Sequence, residues 1–260
     1  MQVVLSILSR AGGVGKTTIA SNIFYELGST GITTCLIDLD PNFSLASFVG
    51  GLAPVDQPDS VARIFDSSFK GAYPLQKGWD TQKCDFLQGH ESMGAISDNL
   101  KSRRRSEYAI ADLFKKYPLP HEVVILDCPG TQSAMTTAAL AASTHLLLPV
   151  QLEVKIATTP SLITWCFTTS EELFLDPPPQ ILGIVPNSYD KSGTVHRQCI
   201  EQLPSIAEGL GVHLFEAIPN SKEIINAAMA GLPLKKHRPG HLANKGFKQI
   251  ADAVKELING

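Results

Sequence analysis

The sequence predicts an α/β fold: a doubly wound, mostly parallel sheet with helices on both faces, carried in a single domain over residues 1–260. Three observations predict it. Short apolar, β-rich runs alternate with helical stretches along most of the chain. A glycine-rich turn joins the first of these runs to the first helix. Aspartates close two later runs, at the strand ends where open sheets of this kind hold their ligands.

Val3 to Leu8 reads as the first strand and Thr17 to Leu27 as the helix after the glycine turn, with Gly28 predicted to stop it. Thr33 to Leu39 is the second strand, buried by its pattern, and it delivers Asp38 and Asp40 to its C-terminal end. Residues 50–118 break the alternation with glycines, prolines and an Asp/Ser-rich stretch. Only Tyr108 to Tyr117 reads there as a helix, ended by Pro118. Val123 to Leu126 is a third strand that runs into Asp127-Cys128-Pro129-Gly130; His145 to Val150 is a fourth, and Ile181 to Val185 a fifth, ending near Asn187. Helices are expected at Thr137 to Ala142 and Thr194 to Leu203. A final helix, Phe247 to Ile258, places Phe247, Ile250, Ala251, Val254, Leu257 and Ile258 on one face, with Lys248 and Lys255 balanced by Asp252 and Glu256 on the other. That balance predicts packing on the core, since a membrane-surface helix is usually net basic.

A chain of 260 residues can bury one large core, and 43% hydrophobic with 18% charged residues excludes long disorder. No apolar run approaches the roughly 18 residues of a membrane span, and the expected location is cytoplasmic. The five cysteines are odd in number and form no C-x-x-C pair, which points to free buried thiols. A formal charge of −3 excludes a strongly basic nucleic-acid binder, so any DNA contact must use a local patch. Candidates are Lys101 with Arg103, Arg104 and Arg105; Lys115 with Lys116; and Lys235, Lys236, His237, Arg238, Lys245 and Lys248.

The chemistry concentrates in Gly12-Gly13-Val14-Gly15-Lys16-Thr17-Thr18. Glycines let backbone amides approach phosphate oxygens, and the helix that follows adds its positive end. Lys16 would neutralise the β- and γ-phosphates of ATP, and the Thr17 hydroxyl would complete Mg²⁺ coordination. The strict pattern G-x-x-x-x-G-K-S/T is not met, because Arg10 stands where its first glycine belongs.

These residues resemble the ParA/MinD family of deviant Walker A ATPases, whose loop reads K-G-G-x-G-K-S/T. Asp38-Leu39-Asp40-Pro41-Asn42 is similar to the family's D-x-D-P-Q, Asp127-Cys128-Pro129 to its D-x-P, and Pro149-Val150-Gln151 to its P-x-Q. Asn187 and Pro219, in the turn Ile218-Pro219-Asn220, match positions that contact adenine in that family. By this resemblance Asp40 would position the attacking water, while Asp38 and Asp127 would hold Mg²⁺. The family's first loop lysine, which crosses a dimer interface to the partner's nucleotide, is Ala11 here. Arg10 is adjacent but off by one residue, and Lys155 is the expected substitute cation.

Loss of that lysine resembles the carboxysome-positioning branch, called McdA-like. The resemblance implies a cycle in which ATP closes a homodimer, the dimer binds nucleoid DNA without sequence preference, and a cargo adaptor protein (McdB-like or ParB-like) stimulates hydrolysis and release. Lys235, Lys236, Arg238, Lys245 and Lys248 are the expected DNA surface. No helix-turn-helix precedes the first strand, so operator binding is not expected. Plasmid or chromosome partition is the alternative within the family. A MinD-like membrane ATPase would need a basic amphipathic tail; an iron–sulfur ATPase would need paired cluster cysteines, for which Cys84 and Cys128 are the only approach; a P-loop biosynthetic enzyme would need a substrate pocket.

Overall fold

A computed structural model describes residues 2–79, 83–152 and 159–259. The first half carries β1 (Val3–Ile7), α1 (Lys16–Ser29), β2 (Thr34–Asp38), α2 (Leu45–Phe48), β3 (Gln76–Lys77), β4 (Cys84–Leu87), α3 (Met93–Leu100) and α4 (Ala109–Lys116). The second half carries β5 (Val123–Asp127), α5 (Ala134–Ala142), β6 (His145–Gln151), α6 (Thr159–Glu172), β7 (Gln180–Asn187), α7 (Thr194–Gly209), α8 (Lys222–Met229), α9 (Leu234–His237) and α10 (Ala243–Asn259).

The strands form one seven-stranded sheet in the order β3-β4-β2-β5-β1-β6-β7, parallel except for the β3–β4 edge pair. Strands covered on both faces read as unbroken apolar runs. β1, β2 and β5 are accordingly buried at every position. Successive side chains alternate between two apolar layers. Leu36, Val123 and Ile125 pack with Ile19, Ile23 and Phe24 of α1 and Phe247, Ile250 and Val254 of α10. Cys35, Ile37, Val124 and Leu126 pack on the other face with Met135 and Ala138 of α5 and Leu162 of α6. The last helix is thus a core element, as its apolar face predicted, and Lys248 and Lys255 both pair with Asp252 on its outer side.

Three expectations are corrected. Gly28 does not end the first helix, which continues to Ser29; a Cβ at Gly28 would lie 2.1 Å from the Cys84 Sγ, so the glycine lets α1 lie against β4. The turn comes at Thr30 and Gly31, whose φ of 94° suits glycine. Helix α7 does not stop before Pro204 but runs through it to Gly209. The stretch 50–118 holds, besides the expected helix, the unforeseen α3 and two strands that alternation does not reveal, because β3 and β4 are only two and four residues long. All five cysteines are buried, and none is in a disulfide.

The C-terminal ends of β1, β2 and β5 are brought level. Asp38 and Asp127 are register partners, and Ile7 is paired with Asp127. Everything that follows these three ends, residues 8–15, 39–44 and 128–133, therefore opens on the same edge of the sheet.

Candidate functional site

Residues 9–15 pass between β1 and α1 as a turn whose backbone only glycine adopts at two points, Gly13 at φ 75° and Gly15 at φ 91°. At Gly15 a Cβ would also lie 2.0 Å from the Asn187 Nδ2. That amide reaches across from the end of β7 and donates to the Val14 carbonyl at 2.8 Å. Asn187, expected at adenine, is therefore seen bracing the loop. The loop is also pinned from the β5 side, where a Cβ on Gly130 would sit 2.9 Å from the Gly12 Cα and 3.0 Å from its nitrogen. Arg10 donates to the Gln132 Oε1 at 3.2 Å, a second link between the same two loops.

Helix α1 begins at Lys16 and directs its unsatisfied amides into the loop. Lys16 is only 6% exposed; its ammonium donates to the Ser9 Oγ at 3.1 Å, and the Ser9 hydroxyl donates to the Ala11 carbonyl at 2.8 Å. Ser9 was not foreseen, because nothing in a lone serine before the glycines marks it. In front of the loop lies a cleft of about 580 Å³, lined by Gly12, Gly13, Gly15, Lys16, Thr17 and Thr18, by Asp40, Pro41, Asn42, Ser44 and Phe48, and by Pro129, Gly130 and Thr131. Its size suits a small phosphorylated ligand.

Two carboxylates stand behind the cleft, both fully buried. Asp38 accepts from the Asp40 amide at 3.1 Å and from the Leu45 amide at 3.4 Å, and Gly89 leaves room for its oxygens, since a Cβ there would lie 2.7 Å from Oδ2. Burial, then repulsion from Asp127, holds the Asp38 carboxyl well above the usual range. Burial likewise pushes Asp127 up to about 7, against the opposing pull of the Thr17 hydroxyl and the Lys16 ammonium. Neither oxygen of Asp127 makes a hydrogen bond of good geometry among the described residues. Two buried, mutually repelling carboxylates, one of them orphaned, form a hard-oxygen donor set that a divalent cation relieves. Among the described residues no group of three His, Cys, Asp or Glu side chains could cage a metal by itself. The paired carboxylates fit Mg²⁺, which takes one or two carboxylates and fills its remaining positions with phosphate oxygens and water.

Asp40 lies at the cleft wall, its Oδ1 accepting from the Asn42 amide at 2.9 Å and the Asn42 Nδ2 at 2.8 Å. The turn it opens ends at Phe43, whose φ of 39° is unusual for a side chain of that bulk. Pro219 lies on a neighbouring segment, tied to the end of β7 by the Ile218 amide donating to the Pro186 carbonyl at 2.8 Å. It lines a separate cleft with Asn220, Ser221, Arg238 and His241. Lys155 lies outside the described residues.

The expected DNA surface carries less free charge than the sequence implies. Lys235 pairs with Glu26 at 2.7 Å, Lys245 with Glu216 at 2.7 Å and Arg238 with Glu223 at 4.0 Å; Lys248 pairs with Asp252, and the Lys236 ammonium lies 5.7 Å from the centre of the Tyr25 ring. Cys84 and Cys128, the only approach to a cluster pair, are both fully buried, and burial holds the Cys128 thiol protonated.

Comparison with known proteins finds similar chains and similar folds. The chain is similar to the chromosome-partitioning ATPase Soj of Thermus thermophilus, 26% identical over 257 residues, covering 96% of this chain and 94% of the relative. Its fold superposes with a TM-score of 0.86 on an ATP complex of an McdA variant from Cyanothece, at 19% identity with 98% and 96% of the two chains covered. It superposes with a TM-score of 0.81 on cobyrinic acid a,c-diamide synthase from Mycobacterium smegmatis with bound ADP and magnesium, at 22% identity with 100% and 96% covered. Residues 2–164 match the AAA domain family AAA_31, a span that takes in the phosphate loop and both acid-bearing strand ends. The chain therefore belongs to the AAA domain family AAA_31, and its fold is that of ParA/MinD-like P-loop proteins.

Proposed function

We propose that the protein is an ATP-dependent positioning ATPase that dimerises on ATP binding, holds nucleoid DNA without sequence preference, and is released when a cargo adaptor stimulates hydrolysis. The observation that carries the enzymatic half is the orphaned, fully buried Asp127 beside Asp38, within the electrostatic reach of Lys16 and Thr17 that line the cleft. Lys16 and the amides at the start of α1 bind the β- and γ-phosphates. Asp38, Asp127 and the Thr17 hydroxyl would hold Mg²⁺. Bound there, Mg²⁺ neutralises charge that develops on the transferring phosphoryl group. Asp40, fixed by its bonds from Asn42 at the open wall, orients the attacking water. Asn187 and Gly130 hold the loop so that these groups meet without reorganisation.

The cellular half rests on likeness to the partition relative and on the basic segment around α9. Carboxysomes are the proposed cargo, because Ala11 replaces the family's loop lysine; a replicon is the alternative cargo of the same cycle. Binding that needs two modest patches together should depend steeply on dimerisation and on salt. The purified chain is expected to hydrolyse ATP only with Mg²⁺, and to retain DNA with ATP but not with ADP, with affinity falling as salt rises. DNA binding that is absent in every nucleotide state, at low salt, would remove the nucleoid from this reading while leaving the ATPase.

A further inference from the structure

The basic segment on α9 is fastened to the helix that begins in the phosphate loop. Two polar side chains of α1 are buried toward it, Asn22 at 7% exposure and Glu26 at 4%. Asn22 accepts from the Leu234 amide at 2.9 Å and donates to the Thr18 carbonyl at 2.8 Å; Glu26 takes the Lys235 ammonium at 2.7 Å. A buried carboxylate with no partner would be strongly destabilising, so Glu26 fixes where Lys235 must lie. Tyr25, between them in sequence, carries the Lys236 ammonium over its ring at 5.7 Å.

The same segment is held from the other half of the site. The Gly231 carbonyl accepts from the Gly50 amide at 3.0 Å and from the Trp79 indole at 2.8 Å, and a Cβ on Gly231 would lie 2.5 Å from the Gly51 nitrogen. Gly50 follows α2, whose first amide, Leu45, donates to Asp38. Residues 231–235 are thus attached to the phosphate loop through α1 and to the acid-bearing strand end through α2. An α-helix transmits displacement as a rod, and Asn22 and Glu26 lie about 9 and 15 Å along it from Lys16.

We propose that Asn22 and Glu26 are positioning residues that make segment 231–235 follow the phosphate loop, so that nucleotide occupancy is read out at the basic surface of α9. Lys235 acts in this as a tether, and Lys236 and Arg238, on Tyr25 and Glu223, are exposed cations of the same segment. The biological sense of the device rests on the DNA-binding reading above; the mechanical coupling does not.

Trp79 makes the coupling measurable without DNA. It bonds Gly231 and packs against Phe24 and Tyr25, with ring centroids 5.6 and 5.5 Å away. The chain has two tryptophans, so Trp165→Phe leaves Trp79 as the sole reporter. In that background Mg-ATP is expected to shift Trp79 emission. Adding Asn22→Ala with Glu26→Gln should abolish the shift while a fluorescent ATP analogue binds with unchanged affinity. The ratio of DNA affinity with ATP to that with ADP should fall by about tenfold, within the usual range of coupling between sites. Exchanging the pair, Glu26→Lys with Lys235→Glu, should restore the shift. Should the double variant fail to fold, Glu26→Gln alone carries the same test. An emission shift of full size in the variants overturns the coupling. A Trp165→Phe parent whose Trp79 responds but which never binds DNA overturns the DNA-binding reading and leaves the coupling standing.

Discussion

In the proposed site most of the chemistry turns on Asp127, whose state can be read from stability. Burial opposes ionisation and pushes its carboxyl up to about 7 in the folded chain, well above the usual carboxylate range. A carboxyl raised on folding binds its proton more tightly in the native state, so its contribution is fully present below the unfolded value and is lost as pH rises through the folded one. Asp38 is raised in the same direction by burial and by Asp127. In the absence of metal, Asp127→Asn is therefore expected to stabilise the chain. Its advantage over wild type in thermal melts should grow from about pH 5 to about pH 8, reaching several degrees. The same variant should lose Mg-dependent hydrolysis. An advantage that is flat across that range would mean that the two carboxylates do not share a buried, metal-hungry site. Lys16→Ala tests the opposite charge: removing the only cation lining the cleft among the described residues should abolish ATP binding, read by equilibrium titration.

At the scale of elements, the phosphate loop, β1, β2, β5 and their acids were legible because each is a local pattern: a buried run, then glycines or an aspartate where the run ends. What was not legible depends on neighbours distant in sequence. Gly28 looked like a stop because glycine is a poor helix former, yet Cys84, 56 positions on, explains it. Lys235 looked like a free cation, and its partner Glu26 is 209 residues away. Strands β3 and β4 are too short to show a period, and β3 is held by an antiparallel bridge whose Lys77 pairs with Asp85 at 2.7 Å. These contacts yield two predictions. Gly28→Ala puts a methyl into Cys84 and should cost roughly 1–3 kcal/mol in denaturant melts. It should leave the affinity for ATP unchanged. Gly130→Ala meets backbone instead of a side chain, so the phosphate loop itself must shift. Weaker ATP binding with little loss of stability is the expected signature, and the reverse pattern would place the Gly12–Gly130 contact outside the working site.

For the whole molecule the arrangement of the sheet decides how ligand binding is felt. It runs without a break from β3 to β7, and the candidate site lies over the ends of the central strands β1, β2 and β5. Helix α10, last in the chain, packs on α1, first after the loop, so the two ends of the sequence share one apolar layer. A ligand held by the loop and the acids would touch elements that bear on both layers. Binding to the native state alone stabilises it by an amount that grows with the logarithm of ligand concentration. Calorimetry is therefore expected to show a single cooperative transition, moving as a whole to higher temperature as Mg-ATP is added and moving less when EDTA removes the metal. A second transition that ignores the ligand would divide the chain into two folding units and would confine the nucleotide to one of them.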